Sequence, residues 1–303
     1  MHDSPDPASD RAVHPASQLH ERVLPWFDAH ARDLPWRSPG ATAWGVLVSE
    51  FMLQQTPVVR VLPVWEAWLE AWPRAADLAA AGAGEAVRAW GRLGYPRRAL
   101  RLHAAAVAIL ERHGGEVPES YEELLALPGV GDYTASAVAS FAFGARHAVL
   151  DTNVRRVLAR SLGGVEQPGA SVTRAERGRA EEVLPEEPAV AARWAVAVME
   201  LGALVCTAGS PRCAACPIED LCRWHTGGRP AYDGPARRAQ TYAGTDRQCR
   251  GRLLEVLRLA EEPVHPSRMS AVWGPTEQRE RCLAALVQDG LAVSLEGGGY
   301  SLP

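Results

Sequence analysis

Apolar residues in the first two-thirds of the chain recur every three to four positions. Leu19, Val23, Trp26, Phe27 and His30 mark one helical face, which Pro25 is expected to kink by removing a backbone donor. The same period runs through 43–55 (AWGVLVSEFMLQQ), 69–81, 97–112 and 133–143, which are predicted helices. No sustained period-two alternation occurs before residue 290, so this part of the chain is predicted to be mainly α.

The segment 227–246 is rich in Gly, Pro and polar residues and reads as a linker. Beyond it, three short helical patterns cover 247–260, 267–273 and 277–288, and Gly290 is placed to end the last. Leu291, Val293 and Leu295 then alternate, Gly297–Gly299 turn, and Tyr300 and Leu302 resume. Three helices and a hairpin over 247–303 resemble a small winged-helix module. Its third helix carries Glu277, Arg279, Glu280 and Arg281, a balanced set that favours packing or protein contact at least as much as DNA reading. Residues 1–16 start acidic and Pro-rich, with no apolar core for a signal peptide, and read as a disordered tail.

A chain of 303 residues with 47% hydrophobic and 22% charged residues is that of a folded protein of roughly two domains. Arg193 and Glu200, or Arg146 and His147, break every long apolar run, so no membrane span is expected. All 32 basic residues are Arg; the absence of Lys excludes a P-loop lysine, a pyridoxal-phosphate lysine and a Schiff-base lysine nucleophile. The net charge of −4 does not announce a nucleic-acid partner. Arg88, Arg92, Arg97, Arg98 and Arg101, however, lie in a stretch free of acidic residues. Such a face suits a phosphate backbone, although charge alone favours a merely solvated helix face.

Cys206, Cys213, Cys216 and Cys222 form a C-x6-C-x2-C-x5-C pattern. Four thiolates within so short a span can hold a [4Fe–4S] cluster, and no nearby His completes a zinc finger. Cys249 and Cys282 lack such spacing and are expected to be small buried apolar residues. Two carboxylates also stand out. Glu50 interrupts an apolar helix, where burial would hold its proton near neutrality as a general acid requires. An ordinary buried glutamate paired with Arg or a backbone N–H fits the same pattern, and Glu200 in VAVMELGAL shows it too. Asp151 stands at the N-cap of the helix TNVRRVLAR, where free N–H groups favour its ionised form. One acid kept protonated and one kept charged are what glycosidic cleavage needs.

The cysteine spacing after the helix WAVAVMELGALVC resembles the iron–sulfur DNA glycosylases of the endonuclease III superfamily, and the resemblance covers most of residues 17–225. LPGVGDYTA (127–135) is similar to that family's helix-hairpin-helix, in which Gly129 and Gly131 would allow a tight turn whose N–H groups face a phosphate. WGVLVSEFMLQQTPV around Glu50, LPWR at 34–37, WGRLGYPRRALRLH at 90–103 and VLDTNVRRVLAR closely resemble adenine glycosylases of the MutY type. The resemblance implies that Glu50 protonates N7 of adenine, that Asp151 stabilises or traps the sugar cation, and that Asn153 holds the site's hydrogen bonds. Gln55 and Tyr95 would wedge into the duplex. Tyr133 occupies the position of the catalytic Lys in bifunctional relatives, so strand cleavage is not expected. Arg212, between the first two cluster cysteines, is a candidate phosphate contact.

The family implies a mainly α, two-lobed fold with a [4Fe–4S] module: a central helical module over about 42–143, a cluster module of 17–41 plus 144–226, and the cleft between them. The expected function is monofunctional release of adenine opposite 8-oxoguanine or guanine in duplex DNA, by a cytoplasmic monomer, nucleoid-associated if bacterial. The alternatives are an endonuclease III-like glycosylase of another base and a non-catalytic iron–sulfur DNA scaffold. Residues 227–303 are too few for the Nudix-like domain of long MutY-type proteins, so what would recognise 8-oxoguanine, and the duty of 247–303, are not legible in the sequence.

Overall fold

The structure is a computed structural model and describes residues 15–234 and 242–303. Most of the expected N-terminal tail and the middle of the expected linker lie outside the described residues. In chain order, α1 (Pro15–His30) precedes a 3-10 turn at Pro35–Arg37, then α2 (Ala43–Leu53), α3 (Val58–Ala71), α4 (Ala75–Ala80) and α5 (Ala83–Trp90). α6 (Arg97–His113), α7 (Tyr121–Leu125), α8 (Asp132–Phe143), α9 (Thr152–Ser161), α10 (Arg174–Glu182) and α11 (Pro188–Leu204) follow. After α12 (Arg223–Thr226) come α13 (Asp246–Leu259), α14 (Pro266–Val272) and α15 (Thr276–Gln288). β1 (Val293–Ser294) and β2 (Tyr300–Ser301) pair antiparallel, Val293 opposite Ser301. The protein is mainly α, with a terminal hairpin, as expected.

Two compact units emerge. One comprises Met1–Asp33 and Gly144–Pro235, the other Leu34–Phe143 and Ala236–Pro303. In the first, α1 and α11 pack through Leu19, Val23, Trp194, Val198 and Leu201, and α9 adds Val154 and Val157. α1 runs through Pro25 without a break. Glu187 caps α11 by accepting from the N–H groups of Ala189 and Val190 at 3.1 and 2.7 Å, with Pro188 at the position where a missing N–H costs nothing.

In the second unit α2 is buried from Trp44 to Met52 and packs against α3 and α8. Thr42 caps it, accepting from Gly45 N–H at 3.0 Å. The helix expected over 69–81 does not form as one piece. Pro73 pushes the residue before it out of helical geometry, so α3 ends at Ala71 and α4 starts at Ala75. The apolar period that continues across this break belongs to two helices.

The C-terminal helices bury Cys249, Leu253, Leu257, Met269, Cys282 and Leu286, the two cysteines serving as small apolar residues. This segment also corrects the reading of the basic stretch. Arg88 Nη1 donates to the carbonyl of Ala260 at 3.1 Å, and Arg258 Nε donates to that of Val87 at 2.9 Å. Arg92 pairs with Glu255, and Arg97 with Asp289 at 3.3 Å. Arg98 is buried beneath α2. The stretch is thus in part a seat for the C-terminal helices and in part a solvated face, since Arg92, Arg97 and Arg101 stay exposed.

Candidate active site and cysteine cluster

Glu50 lies on α2 with 4% of its surface exposed, walled by the apolar residues that make α2 a core helix. The Tyr133 hydroxyl donates to Glu50 Oε2 at 2.8 Å. Tyr133 is the second residue of α8, directly after the 127–131 turn, so one helix carries both the turn and the partner of Glu50. Glu200, the other glutamate in an apolar run, is fully buried and held differently. Arg32 donates to both its oxygens at 2.7 Å, and its backbone N–H adds a bond at 3.0 Å. Hydrogen bonding and charge from Glu200 raise the Arg32 pKa against the effect of burial. The structure thereby separates two residues whose sequence settings look alike.

The two glycines of the turn also part company. Gly129 has φ +77°, and a Cβ there would stand 2.6 Å from Arg101 Cβ, so both backbone and packing require glycine. Gly131 has ordinary φ, and a Cβ there would meet nothing within 4 Å. The tight turn does not need it; it leaves open backbone at the start of α8.

Gln55 and Tyr95 are both exposed, and both adopt positive φ, +55° and +47°. Such backbone costs a residue with a Cβ about 1–2 kcal/mol. Arg98 holds both turns. Its Nη1 donates to the carbonyls of Phe51, Met52 and Gln54 at 2.7, 3.1 and 2.7 Å, and its Nη2 to Thr56 Oγ1 and Gly94 O at 3.0 and 3.1 Å. The first two carbonyls belong to the last turn of α2, whose oxygens have no partner within the helix. The guanidinium carbon also lies 5.6 Å from the Tyr95 ring centroid. Burial lowers the Arg98 pKa to about 10, a cost its hydrogen bonds must offset.

In the other unit Asp151 caps α9, accepting from Val154 N–H at 2.6 Å and from Asn153 Nδ2 at 2.7 Å. Arg156 Nη2 bonds Asn153 Oδ1 at 2.8 Å and Gly202 O at 2.7 Å, locking the asparagine amide. Gly202 is required there, since a Cβ would stand 2.7 Å from Asn153 Cβ. The capping role is as expected, but its electrostatic consequence is not. Burial raises the Asp151 pKa, outweighing the N–H bonds from Val154 and Asn153 and the nearby Arg156 charge, all of which lower it. Charge at this carboxylate is costly, because desolvation exceeds what the cap returns.

Cys206, Cys213, Cys216 and Cys222 follow α11 in a loop that includes a 3-10 turn at Cys213–Ala215. Burial pushes the Cys216 thiol up to about 12, opposed by the Ile218 N–H and reinforced by Cys206, Cys222 and Cys213. Burial raises Cys222 likewise, against N–H bonds from His225 and Trp224. Arg160 Nη1 donates to Cys206 Sγ at 3.3 Å. Four mutually repelling thiols ringed by N–H donors fit a cationic centre that binds them as thiolates. Among the described residues no group of three or more His, Cys, Asp or Glu closes around a point that could hold a single metal ion. Arg212 Nη2 donates to Leu204 O, tying this loop back to the end of α11.

Residues 48–181 match the HhH-GPD superfamily of base excision DNA repair proteins, and 206–222, from first to fourth cysteine, the iron-sulfur binding domain of endonuclease III. The adenine DNA glycosylase of Mycobacterium tuberculosis is 49% identical over 282 residues, which is 93% of this chain and 92% of that protein. The chain belongs to the adenine DNA glycosylase family. The corresponding protein of Mycolicibacterium smegmatis is 51% identical over 92% of this chain and 94% of its own. Among solved structures, a thermostable thymine-DNA glycosylase superposes with a TM-score of 0.63 at 25% identity, covering 72% of this chain and all of that one. The family fold is therefore present across both units, and no helix among the described residues is long and apolar enough to cross a membrane.

Several residues that shape the family's site in this chain escaped the sequence reading. Arg156 and Arg160 lie one helical turn apart on α9 and both reach the cysteine loop, Arg156 Nε meeting Cys206 O at 2.6 Å. Their i, i+4 spacing on the helix N-capped by Asp151 was a readable sign. Arg98 and Gly202 gave none, because the partners that define them, the end of α2 and Asn153, are 40 or more residues away.

Proposed function

We propose that this chain is a monofunctional adenine DNA glycosylase of base-excision repair, hydrolysing the N-glycosidic bond of adenine opposite 8-oxoguanine or guanine in duplex DNA. The observation that carries the reading is Glu50, buried in an apolar helix and bonded to the hydroxyl of Tyr133 where bifunctional enzymes place a lysine. A glutamate in an apolar wall is suited to hand a proton to a departing base, and a tyrosine hydroxyl cannot form a Schiff base.

In the reaction the target adenine first leaves the stack. Glu50 gives its proton to N7, so that the electrons of the breaking C–N bond leave with neutral adenine. Asp151 meets the positive charge that develops on the sugar. Its negative charge, costly in the resting protein, is offset when the oxocarbenium-like centre forms. Asn153, fixed by Arg156, orients the carboxylate through Oδ2. Water adds to C1′, and Glu50, now ionised, accepts its proton. Tyr133 positions Glu50 through its hydroxyl. Gln55 and Tyr95, held on strained turns by Arg98, enter the duplex, and the backbone at Gly129 and Gly131 takes a phosphate.

Cys206, Cys213, Cys216 and Cys222 would hold a [4Fe–4S] cluster. Bound, it fixes the shape of the 206–222 loop, and Arg212 at its edge contacts DNA phosphate. The experiment is single-turnover incubation of the full chain with duplex holding adenine opposite 8-oxoguanine. Wild type releases free adenine without nicking, and Glu50→Gln binds the duplex but releases none. Strand cleavage without alkali supports the lyase alternative, and binding without release by wild type supports a scaffold.

A further inference from the structure

The C-terminal helices have no assigned duty, and the helix whose place in the module would suit groove reading has spent its charges. On α15, Arg279 Nη1 donates to the carbonyl of Trp273 at 2.8 Å, and Arg281 pairs with Asp246 at 2.9 Å. Arg247 is different. It is exposed at the first turn of α13, and its guanidinium carbon lies 5.5 Å from the ring centroid of Tyr95 and 5.7 Å from that of Tyr242. Among the described residues no carboxylate pairs with it; its acidic neighbour Asp246 is engaged by Arg281 and Gln278. Tyr95 is 48% exposed and Tyr242 52%.

The placement is built, not incidental. The C-terminal end of α13 is anchored on α5 by the Arg258–Val87 bond and by the hold of Arg88 on Ala260, with Arg92–Glu255 alongside. With that end fixed, the N-terminal end of the same helix reaches the Tyr95 turn. A guanidinium over an exposed tyrosine face occupies the surface on which a base would stack, and it remains a free cation beside that surface.

We propose that the C-terminal module is part of the DNA-binding surface, and that Arg247 contacts a duplex phosphate next to the Tyr95 wedge. This rests on the reading of the chain as a duplex-binding glycosylase. When Tyr95 enters the duplex, Arg247 exchanges the ring for the phosphate backbone that then flanks it. Each phosphate so neutralised releases a counterion, which steepens the dependence of binding on salt by about 0.9 in log–log slope.

The test measures affinity of the full chain for duplex with adenine opposite 8-oxoguanine across a salt series. Arg247→Ala lowers affinity severalfold and reduces the slope by about 0.9, and Arg247→Lys, which keeps the charge, restores the slope. Arg268→Ala, which removes an exposed charge elsewhere in the module, leaves the slope as in wild type. An unchanged slope in Arg247→Ala overturns the proposal, whether affinity holds or falls, because a fall without a change in slope means that Arg247 only props Tyr95. Adenine release is scored separately: a wild type that binds without release refutes the glycosylase reading, while the slopes still decide the duty of Arg247.

Discussion

Removing Arg98 tests how one buried cation couples two distant turns. Its five contacts share the four N–H protons of Nη1 and Nη2, and each charged donor proton contributes about 1.5 kcal/mol or more. Against them stands the cost of burying the charge. A pKa lowered from 12.5 to about 10 corresponds, at about 1.4 kcal/mol per unit, to a cost on the order of 3 kcal/mol. The bonds exceed the cost, and their net contribution is about 3 kcal/mol. Arg98→Ala also leaves the carbonyls of Phe51, Met52, Gln54 and Gly94 buried without that donor, in line with the roughly 3–5 kcal/mol lost when one partner of a buried polar set is removed. This is a large share of a domain's total of about 5–15 kcal/mol.

The assay is urea denaturation followed by circular dichroism, with Arg98→Lys beside Arg98→Ala. Lysine keeps the charge but offers three donors from a single atom, so it cannot span both turns; it is expected to recover about half the loss. Adenine release by the lysine variant, measured at a temperature where it is fully folded, is expected to fall by at least tenfold, since Gln55 and Tyr95 relax from positive φ once the staple opens. A loss under about 1 kcal/mol for Arg98→Ala, or a lysine variant with full stability and full release, refutes this reasoning.

Further predictions concern the other parts of the site. Gly129→Ala forces a Cβ into Arg101 at positive φ and is expected to cost about 2–4 kcal/mol in thermal or urea unfolding. Gly131→Ala, with open space around it, is expected to leave the unfolding midpoint within error while weakening duplex binding; equal effects at both positions contradict the separation drawn here. Asp151→Asn keeps an N-cap but removes the buried charge. A raised folded-state pKa means that the folded protein binds the proton more tightly, so wild type loses stability as pH rises from the unfolded value, about 4, through the folded one. The variant therefore gains on wild type over that interval and holds the gain at neutrality, while adenine release is lost; a gain that shrinks with rising pH has the wrong sign. Cys216→Ser is expected to lose the visible iron–sulfur absorption and soluble expression, since it removes one of the four thiols that close the 206–222 loop around the group they would hold.

What could be read from the sequence was what is local in the chain. Glu50 announced itself by interrupting α2, Asp151 by standing one residue before α9, and the cysteines by their spacing. Helix limits for α2, α6, α8 and the three C-terminal helices fell within about two residues of the pattern, because caps and apolar period mark them. Where the reading failed, two distant segments had to be known together. The period over 69–81 is continuous on paper, yet Pro73 forces two helices that pack separately. Arg88, Arg92 and Arg97 look like an open basic face until Ala260, Glu255 and Asp289 arrive from more than 160 residues away.

Asp151 is the sharpest case, because every local cue was right and the net direction of its pKa shift was still missed. The cap, the Asn153 bond and the Arg156 charge all lower its pKa as expected. Burial is supplied by the rest of the unit, is invisible within a window of ten residues, and is larger than all three. That excess is also what suits the residue to its proposed role. A carboxylate fully satisfied by its cap would gain little from a cation appearing on the sugar, whereas one held at a desolvation cost gains most at the moment the C–N bond opens. The unfavourable term in the resting protein and the favourable term in the transition state then have one origin, the low-polarity surroundings of Asp151. A substitution that hydrates this carboxylate without touching its hydrogen bonds should therefore lower its pKa and slow adenine release together.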